Sequence, residues 1–570
     1  MCGITGIFNF GMPVEESEIR GFTSSLNHRG PDGSDVMIDG DLALGHTRLA
    51  ILDLSEQGKC PMPYTAPDGT TYWITFNGEI YNFIEIRDRL KDAGYQFRTQ
   101  TDTEVIVAAY IHWGENCLLE FNGMWAFAIW NSRSRELFLA RDRFGIKPLY
   151  FEVSSRFTFA SELKAFRHLQ NFTTKLNDQM AGIALTQNVS FEGNYSETLL
   201  QNVHRLRAGH YLKIGTNGKI EISQWWNTAD HIIQIEDSYE DQVQMFKELF
   251  FDSVRLRLRS DVPVGTCLSG GIDSSSVACT IAEIQQQSGT CERRQSDWQR
   301  TSIATFPGTM VDERKYADQV VKHIGASPQY WIFDPDEAVN YVVESVWAMD
   351  DLSGAIAVPV WGVYRNLRQH GSVVSLDGHG GDELLAGYAW QLDYRSSELN
   401  SHLYREFHHD ILPGILRNYD RCSMAHGVEV RMPFMDWRLV TYAFSLPFSS
   451  KLGGGLTKRI LRDAMKGILP EGIRTRRSKI GFNSPMIEWF NGGLRNLILE
   501  LVHHPLWLQC PHFDGPTLGK QIAEKTRNAA WIQKDWGLSL EVWTRLSFVL
   551  WQLMFIENER PHSLQQEVSQ

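Results

Sequence analysis

The apolar pattern of this chain changes character once, at Gln224-Trp225-Trp226, and that change demands at least two separately built domains. Before it, short runs rich in β-branched and aromatic residues occur at Cys2–Phe10, Ala43–Leu52, Tyr72–Phe76, Met124–Trp130 and Leu137–Ala140. Turn signals such as Pro31-Asp32-Gly33, Pro67-Asp68-Gly69 and Asn217-Gly218 separate them, so this part reads as mostly β. Amphipathic helices are expected at Phe83–Ala93 and Thr103–Trp113. After the change, a helical pattern over Tyr239–Arg259 leads to a strand at Val262–Leu268, a Gly-rich turn and another helix. Further strands at Thr301–Phe306 and Val373–Leu376 predict a parallel α/β sheet. Gln285–Arg300 is polar and aperiodic and reads as a surface loop, the C-terminal part as Leu- and Trp-rich helix, and Gln565–Gln570 as a loose tail.

A net charge of −13 argues against a general nucleic-acid binder, because phosphate neutralisation needs an excess of Lys and Arg. The eight cysteines form no CxxC pair and no zinc-finger spacing, which favours a reducing compartment. The N-terminus carries no cationic, apolar leader, and no uncharged apolar run reaches the ~20 residues that span a bilayer. A soluble, cytoplasmic protein without a membrane or nucleic-acid partner is expected.

Removal of the initiator Met, which a small second side chain permits, would make Cys2 the first residue. Its thiol would then have a base in the same residue, since an α-amine titrates near ~8. Four motifs follow in order: Arg29-Gly30-Pro31-Asp32-Gly33, His46-Thr47-Arg48-Leu49, Phe76-Asn77-Gly78-Glu79-Ile80-Tyr81-Asn82 and Thr101-Asp102-Thr103-Glu104. Singly, Asn77-Gly78 is an ordinary hairpin turn and Arg48 or Asp102 a surface ion-pair member. Together with Cys2-Gly3-Ile4 they resemble the glutaminase domain of N-terminal-nucleophile amidotransferases, over residues 2 to about 212. Arg141–Tyr150 and Ala160–Lys164 extend the resemblance in the form used by asparagine synthetase-like enzymes. It implies an αββα sandwich in which the Cys2 thiolate attacks the glutamine amide. The Asn77 side-chain NH2 and the Gly78 backbone N–H would stabilise the oxyanion. Arg48 would pair with the substrate α-carboxylate, and Glu79 and Asp102 with its α-ammonium.

Leu268-Ser269-Gly270-Gly271-Ile272-Asp273-Ser274-Ser275 follows an apolar strand and opens a helix, so backbone, hydroxyls and helix N-terminus can all face phosphate. It lacks the Gly-Lys-Ser/Thr ending of a Walker A loop. It resembles the pyrophosphatase loop of enzymes that cleave ATP between its α- and β-phosphates. Asp377-Gly378-His379-Gly380-Gly381-Asp382-Glu383-Leu384 supplies the second half of such a site. The resemblance makes Asp273 and Asp382 the Mg²⁺-associated carboxylates, with Asp312-Glu313 a weaker candidate, and sets Leu268, Ala304, Asp377 and Gly378 against adenosine. Arg421–Ala425, Glu429–Asp436, Thr457–Arg462 and Lys479-Ile480-Gly481-Phe482 strengthen it. Lys479 would stabilise charge as ammonia attacks an acyl-adenylate, and Arg431 would help position substrate or phosphate.

The whole chain thus resembles the glutamine-hydrolysing asparagine synthetase-like family. The implied layout is a glutaminase domain over residues 2–225 and a doubly wound parallel α/β synthetase domain with a helical extension over 235–570. Glutamine, ATP, Mg²⁺ and a small carboxylate acceptor are the expected ligands, and a homodimer the first assembly to consider. The family usually reads Ser-Gly-Asp/Glu where this chain has Asp377-Gly378-His379, and Asp-Glu-Pro where it has Asp350-Asp351-Leu352. An acceptor other than aspartate, such as a sugar acid or a biosynthetic intermediate, follows from that departure. Two rival readings remain: a synthetase using an internal or external amine, as β-lactam synthetase-like relatives do, and a catalytically silent scaffold.

Overall fold

The computed structural model describes residues 2–187, 191–286, 293, 300–334, 338–478 and 481–561. Two six-stranded antiparallel sheets fill the N-terminal half. The first runs, edge to edge, Val203–Arg205, Tyr150–Val153, Phe157–Ala160, Gly3–Phe8, Leu42–Arg48 and Gly33–Asp39. The second runs Ile220–Gln224, His210–Ile214, Glu136–Arg141, Gly123–Asn131, Thr71–Ile80 and Met62–Thr65.

Strand alternation explains why they stack. Ile4 and Phe8 point from the first sheet into a core shared with Ala126, Ala128, Trp130, Leu137 and Leu139 of the second. Ile7 points the other way, onto the helix Glu16–Ser24 through Ile19 and Phe22. On the far side of the second sheet, Trp125, Phe127 and Ile129 meet the helices Phe83–Asp92 and Asp102–Trp113. The result is the αββα sandwich expected. The helix at Asp102–Trp113 departs from the amphipathic reading, since Asp102–Ala109 are all buried. It is packed between the second sheet and the neighbouring helix, so no face of that stretch meets water.

The C-terminal half holds a five-stranded, all-parallel sheet ordered Ser327–Ile332, Arg300–Thr305, Val264–Cys267, Val374–Leu376, Glu429–Arg431. Sequence order reverses between Val264–Cys267 and Val374–Leu376, which makes their C-terminal ends the switch point where doubly wound sheets bind ligands. The remainder is short helices closed by Trp536–Gln552, with Trp489, Trp507, Trp543 and Trp551 fully buried. Gln285–Arg300 and Gln565–Gln570 lie mostly or wholly outside the described residues, as does Lys479.

The two halves share one apolar cluster, running from Tyr81 and Phe83 to Phe434 and Leu439. The Trp225-Trp226 junction is part of this seam. The Arg143 guanidinium sits 5.0 Å from the Trp225 ring, 4.5 Å from Trp226 and 5.3 Å from Trp437 of the C-terminal half. Burial pushes its pKa down to about 9.

Candidate active sites

The first site is built at the start of Gly3–Phe8. Gly3 N–H donates to Thr47 Oγ1 (3.0 Å) and Ile4 N–H to Ser161 Oγ (3.0 Å), so the strand entry is pinned from both neighbours. The Arg29 Nε–H donates to the Cys2 carbonyl (3.0 Å). The Cys2 backbone nitrogen donates to Asn77 Oδ1 (3.2 Å), and the thiol lies 4.0 Å from the Leu49 carbonyl oxygen, beside Arg48. Burial raises the Cys2 thiol above its ordinary value.

Asn77 uses its oxygen on Cys2, while its Nδ2 is buried with no hydrogen-bond partner among the described residues. A buried amide donor left unmade costs about 1–3 kcal/mol, so the geometry holds a donor in reserve. Gly78 follows at φ +155, and a Cβ there would come 2.1 Å from the Met124 carbonyl oxygen. Only glycine lets this backbone pass so close to the neighbouring strand. Asn77-Gly78 is therefore no hairpin turn: it lies inside Thr71–Ile80, paired with Ala126 and Trp125.

Arg48 Nη1 donates to the Ser55 carbonyl (2.9 Å) and Nη2 to that of Asp53 (2.5 Å), which orients the guanidinium from one side. Asp102 opens its helix and accepts the Ile80 N–H (2.8 Å). Glu79 faces the other domain, where Arg431 Nη2 lies 3.4 Å from its Oε1. Burial and the nearby Glu429 charge hold the Glu79 carboxyl well above the usual range, and burial pushes Asp102 up to about 6.

Arg431 requires a correction. It was expected near the synthetase substrate, but it is fully buried in the seam and is no part of the synthetase cavity lining. Its Nε pairs with Glu429 Oε1 (2.6 Å), and Nη1 donates to the carbonyls of Arg257 (2.8 Å) and Arg259 (2.6 Å). The residue closes the parallel sheet at its edge, and its side chain reaches toward the glutaminase half.

The second site is a cavity of about 630 Å³ at the switch point of the parallel sheet. Leu268, Ser269, Gly271, Asp273 and Ser274 line it from the first loop, Asp377, Gly378, His379 and Asp382 from the second, and Ala304 from the adjacent strand end. Gly270 has φ +76, and a Cβ there would meet the Ala317 backbone nitrogen at 2.4 Å. Gly270 and Ser275 shape the loop from behind without lining the cavity. Ser269 Oγ lies 3.0 Å from Ser274 Oγ and accepts the Gly271 N–H (3.2 Å).

The Asp377 carboxylate locks the site. It accepts from Cys267 N–H (3.1 Å), Ser375 Oγ (2.6 Å) and Tyr364 Oη (2.5 Å). Glu313 also lines the cavity, ion-paired with Arg476.

Lys458 was missed as a site residue. Its ammonium, 2% exposed, sits between Asp273 and Asp382, 2.5 Å from Asp382 Oδ1. Burial works against this charge, but the two carboxylates keep its pKa above the ordinary lysine value. The signal available was its place in Thr457-Lys458-Arg459, with no local pattern to say that it folds back on both loops. Two carboxylates converging on one cation are a donor set that suits Mg²⁺. Among the described residues no group of three or more His, Cys, Asp or Glu is placed to hold a metal ion by itself.

A cysteine at the mouth of an αββα sandwich, joined to a Gly-rich loop at a doubly wound switch point, is an arrangement suited to a two-domain glutamine amidotransferase. Residues 1–226 match the family model described as a glutamine amidotransferase domain, and residues 245–403 and 394–552 match the asparagine synthase model. The Bacillus subtilis (strain 168) protein named asparagine synthetase (glutamine-hydrolyzing) 3 is 30% identical, over 84% of this chain and 86% of its own. Asparagine synthetase (glutamine-hydrolyzing) 1 of the same strain is 29% identical, over 98% of this chain and 97% of its own. The chain belongs to the asparagine synthetase family. Among the described residues no helix is long and apolar enough to cross a membrane.

Proposed function

We propose that this protein takes ammonia from glutamine at Cys2 and uses it to amidate a carboxylate activated as an acyl-adenylate, releasing AMP and pyrophosphate. The observation that carries the glutaminase half is the unpartnered Asn77 Nδ2 beside Cys2. With Met1 removed, the Cys2 nitrogen becomes an α-amine that accepts the thiol proton. The thiolate attacks the glutamine amide carbon, Asn77 Nδ2 and the Gly78 N–H donate to the oxyanion, and ammonia leaves a thioester that water hydrolyses. Arg48 takes the substrate α-carboxylate, and Glu79 and Asp102 its α-ammonium.

At the second site the loop from Ser269 to Ser274 cradles the ATP phosphates against the helix N-terminus, with Leu268, Ala304 and Gly378 toward adenosine. The acceptor carboxylate attacks the α-phosphorus and pyrophosphate departs. Asp273 and Asp382 would hold Mg²⁺, which supplies charge neutralisation for the leaving pyrophosphate. Lys458 balances the two carboxylates. Ammonia then displaces AMP, with Lys479 assigned to the charge of that step. The domain boundaries, 2–225 and 235–570, and a homodimeric assembly belong to the same reading.

The test is Cys2→Ala. Glutamine-dependent product and glutamate release should vanish, while added ammonia still supports acceptor-dependent pyrophosphate release. Unchanged glutamine hydrolysis in that variant refutes the assignment.

A further inference from the structure

Part of the wall of the synthetase cavity is aromatic. His379 lies with its ring centroid 3.6 Å from that of Tyr419, tilted by 38°. Tyr388 and Trp390 stack at 4.3 Å and 7°. Ile415, Asn418 and Tyr419 occupy one face of the helix Leu412–Met424 and complete this side with Leu392.

Charge tells what this wall can hold. An amino-acid acceptor brings an α-ammonium and a second carboxylate out of water, and each needs an opposite charge to offset its desolvation. Tyr388, Trp390, Leu392, Ile415, Asn418 and Tyr419 include no Lys or Arg. Glu383, which also lines the cavity, is buried and takes the Tyr388 hydroxyl, and Glu406 accepts the Trp390 Nε1–H (3.4 Å). Four Lys and Arg side chains line the cavity among the described residues; three have other tasks, and the fourth, Arg477, is exposed. Lys458 is held by Asp273 and Asp382, Arg476 pairs with Glu313, and Arg462 donates to the carbonyls of Thr457 (2.7 Å) and Arg474 (2.5 Å). At the position where the family resemblance leads one to expect an acidic residue stands His379.

We infer that the acceptor is a carboxylic acid with an aromatic or otherwise apolar body, seated between the His379–Tyr419 pair and the Tyr388–Trp390 pair. This rests on the synthetase reading above and deepens it. Asn418 and the His379 ring offer the hydrogen bonds that orient such a molecule. Trp390 is 51% exposed and Leu392 44%, so this side opens to solvent and the acceptor body has room to extend.

The experiment is acid-dependent ATP–pyrophosphate exchange by the purified protein with Mg²⁺. The probes are aryl- and alkyl-carboxylates headed by 3-phenylpropionate, set against aspartate and glucuronate. The aryl or alkyl acids should exceed aspartate and glucuronate by about tenfold in kcat/KM. Trp390→Ala should raise the acceptor KM about fivefold while the KM for ATP stays within about twofold, and Trp390→Phe should recover most of the loss. Preference for aspartate or glucuronate overturns the inference and leaves the synthetase reading standing, as does an acceptor KM indifferent to Trp390→Ala. Exchange with none of the acids, in protein that still hydrolyses glutamine, overturns both.

Discussion

Asn77 shows how a single side chain is read differently alone and in place. As a dipeptide with Gly78 it signals a turn, yet the strand carries it straight through, its amide oxygen accepting from the Cys2 nitrogen and its Nδ2 unpaired among the described residues. Asn77→Ala should lower kcat for glutamine hydrolysis by about 10²–10³ while ammonia-dependent synthesis persists, measured as glutamate release. Asp102 gives a pH signature. Its carboxyl is pushed up to about 6, so it is charged at neutral pH and neutral in mild acid. Attraction for an α-ammonium is therefore lost as pH falls through that value. The KM for glutamine should rise about tenfold from about pH 7 to pH 5, and Asp102→Asn should flatten the profile. Cys2, Arg48 and Asp102 could be singled out as candidates in the sequence because the proposed chemistry demands those residue types. Lys458 and the true surroundings of Arg431 could not, since each is defined by partners far away in sequence.

At the scale of elements, the strand ends matter more than their interiors. The run Val264–Cys267 is short and apolar, and its value lies in delivering the phosphate loop next to the Asp377 loop. Gly270→Ala forces a Cβ against the helix Arg314–Ile324 at a positive φ. Its KM for ATP should rise about tenfold, with glutamine hydrolysis by Cys2 retained, as initial-rate kinetics would report. Of the seventeen strands among the described residues, eight were expected from the sequence, six of them within two residues at each end, while the ends of Leu42–Arg48 and Thr71–Ile80 were missed by four. Periodicity misjudged the helix Asp102–Trp113, because burial on every side is a property of its neighbours.

The whole molecule is held by a seam of buried charge and aromatic contact. Arg29 pairs with Glu162 (2.7 Å) and with Asp420 of the other domain (2.9 Å), all nearly inaccessible. Arg421 lies 3.6 Å from Glu162 and 3.8 Å from Asp350. Arg29→Ala leaves two buried carboxylates short of a partner and should cost about 3 kcal/mol in denaturant unfolding, with weakened glutaminase because the Cys2 carbonyl loses its donor. A cost below about 1 kcal/mol would mean that Lys164 and Arg421 suffice. Sequence by itself determined the two-domain plan and its sheet types and singled out candidate residues for nitrogen and phosphate chemistry, because those follow from local periodicity and from side-chain types in fixed order. Tertiary structure alone decided that Arg431 serves the seam, that Lys458 joins two loops, and that part of the cavity wall is aromatic. Each of these depends on which distant segments meet, and chain order does not encode that contact locally.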